Sequence, residues 1–284
     1  MKKLLLICFV VFSALNLLGQ IERPPVWGIA RMTFLASDFN MARNYYGRFL
    51  GFREAFTYDS PSGKVLCFRI NDRQFLEFVE DPQTSAKNRL VFVSLETDVV
   101  KMLDYLRSKG IEVPANLSDD GAGNQVFSIH DHSGNRIEFI TYSDKGLHTR
   151  LRGLPVSDSA ISQRIHHVGL YSKEIRDDDP LYAQILNFPV ILRYPEDKKL
   201  SPTLIYFSTG DGTESIEEYA PNDENFSHPC FVVQDMQRTL DILRSRKPGQ
   251  PLARPAIGKG RRWILNLQNP DGTKVEFTEP FTVK

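Results

Sequence analysis

Cysteine is scarce in this chain. Cys8, Cys67 and Cys230 are the only three, too few for a disulfide scaffold, so a hydrophobic core has to hold the fold together. A charge excess is missing too: 35 Lys and Arg stand against 35 Asp and Glu. That balance removes the global field by which basic proteins gather nucleic acid or anionic membrane, and no nucleic-acid partner is expected. The apolar run from Leu4 to Leu18, broken by Ser13 and Asn16, is shorter than the ~20 residues that span a bilayer. With 41% hydrophobic and 25% charged residues, the composition is globular and excludes disordered and collagen-like chains.

The N-terminus does carry Lys2-Lys3, that short apolar run, and then Gly19-Gln20. A basic start, an apolar stretch and a small residue before polar sequence predict a secretory signal peptide over residues 1–20. Cys8 follows Ile7 rather than a small residue, which argues against lipoprotein acylation. The expectation is an exported, periplasmic or extracellular protein with no stable membrane association after cleavage. Cys67 and Cys230 then remain, each in an apolar, strand-like run. They are expected as buried thiols; a disulfide between them would have to join the two halves.

Beyond residue 20 the chain repeats itself, and repetition outranks other signals. Arg31–Asp38 reads as a strand ending in a turn. Phe39–Leu50 reads as a helix, with Met41, Tyr45, Tyr46 and Phe49 on one side and Gly51 as its stop. Three strand-like runs follow, Phe52–Tyr58, Lys64–Ile70 and Gln74–Glu80. The order βαβββ recurs from Leu90, with a helix at Val99–Lys109 and strands near Ile111–Val113, Gln125–His130 and Arg136–Tyr142. It recurs again over Ile165–Ala220 and from Ser227 onward, where Leu240-Asp-Ile-Leu-Arg-Ser echoes Leu103-Asp-Tyr-Leu-Arg-Ser. Between the second and third copies lies the polar stretch 144–163, broken by Gly146, Gly153 and Pro155. This divides the chain into a domain over 21–143, a linker over 144–163 and a domain over 164–284. One module cannot cover its own curved sheet, whereas two enclose a cleft.

Four short motifs fall at equivalent places in these repeats. They are His167-Val-Gly-Leu, His228-Pro-Cys-Phe-Val-Val-Gln-Asp, Asn269-Pro-Asp-Gly-Thr-Lys-Val-Glu-Phe277 and His132-Ser-Gly-Asn-Arg-Ile-Glu-Phe139. In them the chain resembles the vicinal oxygen chelate superfamily, which includes lactoylglutathione lyase, type I extradiol dioxygenases, methylmalonyl-CoA epimerase and bleomycin-binding proteins. The resemblance implies an α+β fold: four βαβββ modules paired into two glyoxalase-like domains, with curved mixed sheets around clefts. It also implies metal ligands from the first and last strands of each paired unit. In the second half those places read His167, Glu217, His228 and Glu276. Two imidazoles and two carboxylates suit a divalent Zn, Fe, Mn, Ni or Co ion. His167 is preferred to His166 because it directly precedes Val-Gly-Leu. Glu217 is preferred to Glu218 by analogy with Leu76-Glu77-Phe78 and Val275-Glu276-Phe277.

The first half reads as a degenerate copy. Arg31 takes the first ligand place and Val91 the place of His228, with Arg89 two residues earlier, while Glu77 and Glu138 keep the carboxylate places. Arginine stays protonated, so it offers the carboxylates a cation without metal. His130, His132 and His148 are expected at turns or on the surface.

The four-ligand set is similar to that of the lyase and the epimerases, in which a metal-bound Glu works as a base beside a carbonyl. Glu217 and Glu276 are the candidates for that role on a small oxygen-bearing substrate. Glutathione is a cytoplasmic cosubstrate, which does not suit an exported chain. Extradiol ring cleavage needs only His167, His228 and Glu276, but the interval from Pro229 to Val275 holds no His and no Tyr, as the usual acid–base chemistry of that class requires. A non-catalytic binding or resistance protein is the third possibility. Lys259, Arg261, Arg262 and Trp263 stand ready to meet an anionic or aromatic ligand, or form a solvated loop.

Overall fold

The computed structural model describes residues 21–210, 212–220, 226–247 and 251–283. The expected signal peptide, 1–20, lies outside them. Each half forms one eight-stranded mixed sheet. The first contains β1 (Val26–Ala36), β2 (Arg53–Ser60), β3 (Gly63–Arg69), β4 (Phe75–Glu80), β5 (Leu90–Thr97), β6 (Ser118–Asp119), β7 (Gln125–His130) and β8 (Arg136–Thr141). Its order is β2-β3-β4-β1-β5-β8-β7-β6. The second contains β9 (Ile165–Tyr171), β10 (Val190–Tyr194), β11 (Leu204–Ser208), β12 (Ser215–Tyr219), β13 (His228–Val232), β14 (Ala256–Ile257), β15 (Trp263–Gln268) and β16 (Lys274–Thr278). It repeats the topology as β10-β11-β12-β9-β13-β16-β15-β14. The α+β architecture of four modules paired into two curled sheets is therefore present. Cys67 and Cys230 are free and buried.

Alternation decides which side chains line each cleft. On β16, Val275 and Phe277 enter the hydrophobic core, and Glu276 turns to the other face. On β1, Met32 and Phe34 enter the core while Arg31 faces Glu138. One core cluster takes in residues of both halves. Phe52 packs against Phe231 at 5.0 Å between ring centres, and Tyr105 donates to the Ile185 carbonyl at 2.6 Å.

Local structure departs from expectation in two places. The first helix, α1, is α-helical only over Phe39–Ala42 and continues as a π-helix over Arg43–Phe49. Its end is closed by a bond from Leu50 N to Tyr45 O, five residues back, the wide winding characteristic of a π turn. Consecutive Tyr45 and Tyr46 are thereby buried together with Phe49. The second departure is Ile111–Val113, which is not a strand. Helix α2 (Val99–Ser108) ends with Gly110 at φ +76° and a bond from Ile111 N to Leu106 O at 3.0 Å. Ile111 thus belongs to the helix cap and packs on the core instead of pairing.

The stretch 144–163 is packed along much of its length. His148 is buried in the first half, Ile161 N donates to Leu50 O, and Ser162 donates to Val232 O in the second half. The sheets end at Thr141 and resume at Ile165 on either side of it.

Candidate metal centre

His167 comes from β9, Glu217 from β12, His228 from β13 and Glu276 from β16. These four strands are contiguous in the sheet, so their inward side chains converge. His167 Nε2 lies 3.1 Å from Glu217 Oε2 and 3.5 Å from Glu276 Oε1. His228 Nε2 lies 3.4 Å from Glu217 Oε2 and 3.9 Å from Glu276 Oε2. His167, His228 and Glu276 offer atoms all within 4.8 Å of one another. All four residues are buried, and His167 Nε2, Glu217 Oε2, His228 Nε2 and Glu276 Oε1 make no hydrogen bond among the described residues.

Buried polar atoms are rarely left without partners, because each costs about 1–3 kcal/mol. Four such atoms aimed at one point fit an ion. Ligand atoms held ~2.1 Å from one centre stand about 3.0–3.4 Å apart; three of the distances here, 3.1, 3.4 and 3.5 Å, are near that size and the fourth is 3.9 Å. The donor set is hard to borderline, as a divalent Zn, Fe, Mn, Ni or Co ion requires.

Neighbouring groups prepare these atoms. The Nδ1 of His228 lies 3.0 Å from the Phe226 carbonyl. It must donate there, leaving an Nε2 lone pair facing the carboxylates. Burial, aided by the Lys274 charge, lowers the pKa of His228 and favours its neutral form. Burial alone would raise Glu217, but His167 and His228 outweigh it and hold this carboxyl well below its ordinary range. Gly169 explains the glycine two residues after His167: any Cβ there would overlap the His228 ring. Glu218 points away from the imidazoles, to the opposite face of β12.

Two cavities open onto the cluster. One, of about 400 Å³, is lined by Thr203, Tyr206, Glu217, Tyr219, His228, Lys259, Lys274 and Glu276. The other, of about 390 Å³, includes His166, His167, Leu192, Tyr206, Arg262 and Glu276. Of the basic loop, Lys259 and Arg262 reach these cavities, while Arg261 and Trp263 are exposed. A larger cavity, about 500 Å³, lies between α1 and β15–β16 and holds no cluster of metal-ligating side chains among the described residues.

The family model for the glyoxalase, bleomycin resistance protein and dioxygenase superfamily matches residues 28–139. The match lies within the first half, and the whole chain has the fold of the solved structures that follow. Solved structures extend the likeness over both halves. Homoprotocatechuate 2,3-dioxygenase from Brevibacterium fuscum is 16% identical with a TM-score of 0.69, covering 92% of this chain and 73% of that one. The 2,3-dioxygenase LapB from Pseudomonas sp. KL28 is 15% identical with a TM-score of 0.69, over 91% and 93%. The Arthrobacter globiformis homoprotocatechuate 2,3-dioxygenase is 14% identical with a TM-score of 0.68, over 92% and 82%. No curated protein gives a significant match.

The vicinal oxygen chelate fold makes the first half an internal comparison. Arg31 fills the place of His167 and is fully buried. It donates to Glu138 at 2.7 Å, Asp120 at 2.8 Å and Ser94 at 3.1 Å, and lies 3.6 Å from Glu77. Burial acts to lower its pKa, but the carboxylates around it win and raise it well above the ordinary value. Burial likewise acts to raise Glu77, and Arg31 with His148 brings it down to about 2.

Two expectations for this half need correction. His148 is not at the surface: it is buried, 2.9 Å from Glu77 Oε1 and 3.0 Å from the Asn124 amide. The counterpart of His228 is Phe92, not Val91. Thr33 faces Phe92 as Gly169 faces His228, and Ser94 faces Glu138 as Cys230 faces Glu276. The second half has one more residue before its helix, 231–234 against 95–97, and a one-residue slip exchanges the faces. Val91 and Arg89 therefore fall off the site's face. The Phe92 ring lies beneath both Arg31 and Arg136, at 5.6 and 5.0 Å.

Sequence reasoning also missed two tyrosines. The search for an aromatic hydroxyl covered only 229–275, whereas Tyr206 and Tyr219 arrive from β11 and β12. Tyr206 lies 5.0 Å from the His167 ring and Tyr219 lies 5.4 Å from the His228 ring, centre to centre. The signal was available, since Tyr206 pairs with Glu217 across adjacent strands.

Proposed function

We propose that the second half binds one divalent metal through His167, Glu217, His228 and Glu276, and that the protein is an exported lyase- or isomerase-type enzyme acting on a small oxygen-bearing molecule. The observation that carries this is the convergence of four buried, unpartnered ligand atoms beside two cavities. A metal held there supplies Lewis acidity to two neighbouring substrate oxygens. Glu276 is assigned the base, because it alone of the two carboxylates faces both cavities. Lys274 Nζ, 3.3 Å from Glu276 Oε2, balances its charge and steadies its orientation. Glu217, clamped between two imidazoles, keeps them aimed. Lys259 on one side and Arg262 on the other favour a substrate with an anionic group.

The test is solvent deuterium exchange into small α-hydroxy ketones by protein loaded in turn with Zn, Ni, Co, Mn and Fe. Exchange that Glu276→Gln abolishes supports the reading. Catechol-dependent oxygen uptake by Fe-loaded protein, without exchange, overturns it. That outcome is the second reading, extradiol ring cleavage. It is favoured by the compact His167, His228 and Glu276 trio, by the phenol of Tyr206 and by the likeness to 2,3-dioxygenases. Protein that binds ligand but shows neither reaction is a binding protein.

A further inference from the structure

A second cluster lies where the halves meet, on the opposite face of β12. Glu218 from that strand, Asp179 and His132 each offer a ligand atom within 4.8 Å of the others. Asp179 precedes helix α3 (Pro180–Ile185), and His132 sits in the turn after β7. Glu218 and Asp179 are both fully buried. Among the described residues neither oxygen of Glu218 has a hydrogen-bond partner, nor does Asp179 Oδ2. Asp179 Oδ1 is used by the backbone amides of Leu181 and Tyr182, so Oδ2 is the free one.

His132 sharpens the imbalance. Its Nε2 lies 2.7 Å from the Glu174 carbonyl oxygen, which only accepts, so Nε2 carries the proton. In that tautomer Nδ1 presents a lone pair toward Asp179 Oδ2, 3.0 Å away. Asp131 lies nearby but is saturated: Tyr182, Asn135 and two backbone amides already donate to it. The centre thus gathers acceptors and lone pairs, with no Lys or Arg among the described residues paired to Asp179 or Glu218.

The duplicated corner shows that the fold does not demand this arrangement. Phe78 stands where Glu218 does, by the pairing of Phe34 with Phe78 and of Leu170 with Glu218. Phe78 packs on the Tyr46 ring at 4.5 Å. Pro270 takes the place of His132, counting from Asn269, which meets Tyr46 as Asp131 meets Tyr182. One corner is closed with hydrocarbon, while the other buries two carboxylates and an imidazole.

We propose that His132 Nδ1, Asp179 Oδ2 and Glu218 bind a second divalent ion of the zinc class, which fastens the two halves together. One nitrogen and two carboxylates match that class. The ion joins residues distant in sequence and binds only the folded pair.

The experiment measures zinc per chain after reconstitution and removal of excess ion, using intact protein. Wild type should hold two. His167→Ala/His228→Ala should hold one, with zinc still raising its Tm. Adding His132→Ala, at a partly exposed position, should reduce that to none, and Glu218→Gln should do the same. Retention of the last ion in both triple variants, or a double variant that binds no zinc, overturns the proposal. Failure of the β9–β16 centre instead gives one ion in wild type that the double variant keeps.

Discussion

Arg31 and Gly169 show how much one residue decides in this fold. Arg31→Met leaves Glu77, Asp120 and Glu138 buried around a missing cation. Loss of one partner from a buried cluster costs about 3–5 kcal/mol, and a lower urea midpoint should report it while metal per chain stays unchanged. The same cluster sets an acid limit. Glu77 titrates at about 2 in the folded chain and near ~4.3 when unfolded. Its depressed folded value means that stability is complete above the unfolded pKa and is lost as pH falls toward 2. The loss is roughly 3 kcal/mol, and acid titrations should show it in wild type but not in Glu77→Gln. Gly169→Ala acts on the other half: its methyl group displaces His228, so metal occupancy should fall several-fold with little change in the first half. Unchanged occupancy would remove the explanation given for this glycine. Glu276 was legible because its strand neighbours Val275 and Phe277 are plainly apolar, whereas Glu217, followed by Glu218, was placed only by analogy with Glu77 and Glu276. His148 was not legible, because nothing near it in sequence indicates that the chain folds back over Glu77.

At the scale of elements, strand alternation carried further than helix periodicity. The spacing of Met41, Tyr45, Tyr46 and Phe49 indicated a helix correctly, but adjacent buried tyrosines are what a π turn accommodates, and an α-helical period does not reveal it. Likewise Gly110 marks the end of α2 in sequence, yet only the hydrogen bond to Ile111 shows that the next apolar residues cap the helix rather than start a strand. The connection 144–163 contains its own contrast. His148 and Ser162 are buried, whereas Gly153–Pro155 is exposed and Leu154 is about half open. Limited proteolysis followed by mass measurement should therefore cut first near 152–158. A first cut within Ile165–Ala220 would contradict the division into two halves.

For the whole molecule, the decisive quantity is metal content against pH. Protons compete for imidazole, so occupancy should decline on acidification. Because His228 is lowered by burial and by Lys274, that decline should set in below the ordinary histidine range near ~6.5. Metal analysis across pH 5–8 tests this, and a decline centred above 7 would count against it. His228→Ala should lower occupancy sharply at every pH. Glu217→Ala should match it if all four ligands are used, and should cost less if three suffice.

Duplication has left two answers to one problem, the burial of opposed carboxylates in a curled sheet. In the first half the balancing charge is Arg31, tethered to the chain and present at fixed stoichiometry. In the second, with the proposed metal centre, it is taken from the surroundings, so that half's stability should grow with the logarithm of free ion concentration, by about 1.4 kcal/mol per tenfold change above Kd. Two halves of the same strand order should therefore respond differently to their environment. On the proposed reading, one has a stability written into its sequence, and the other reports how much metal the compartment supplies.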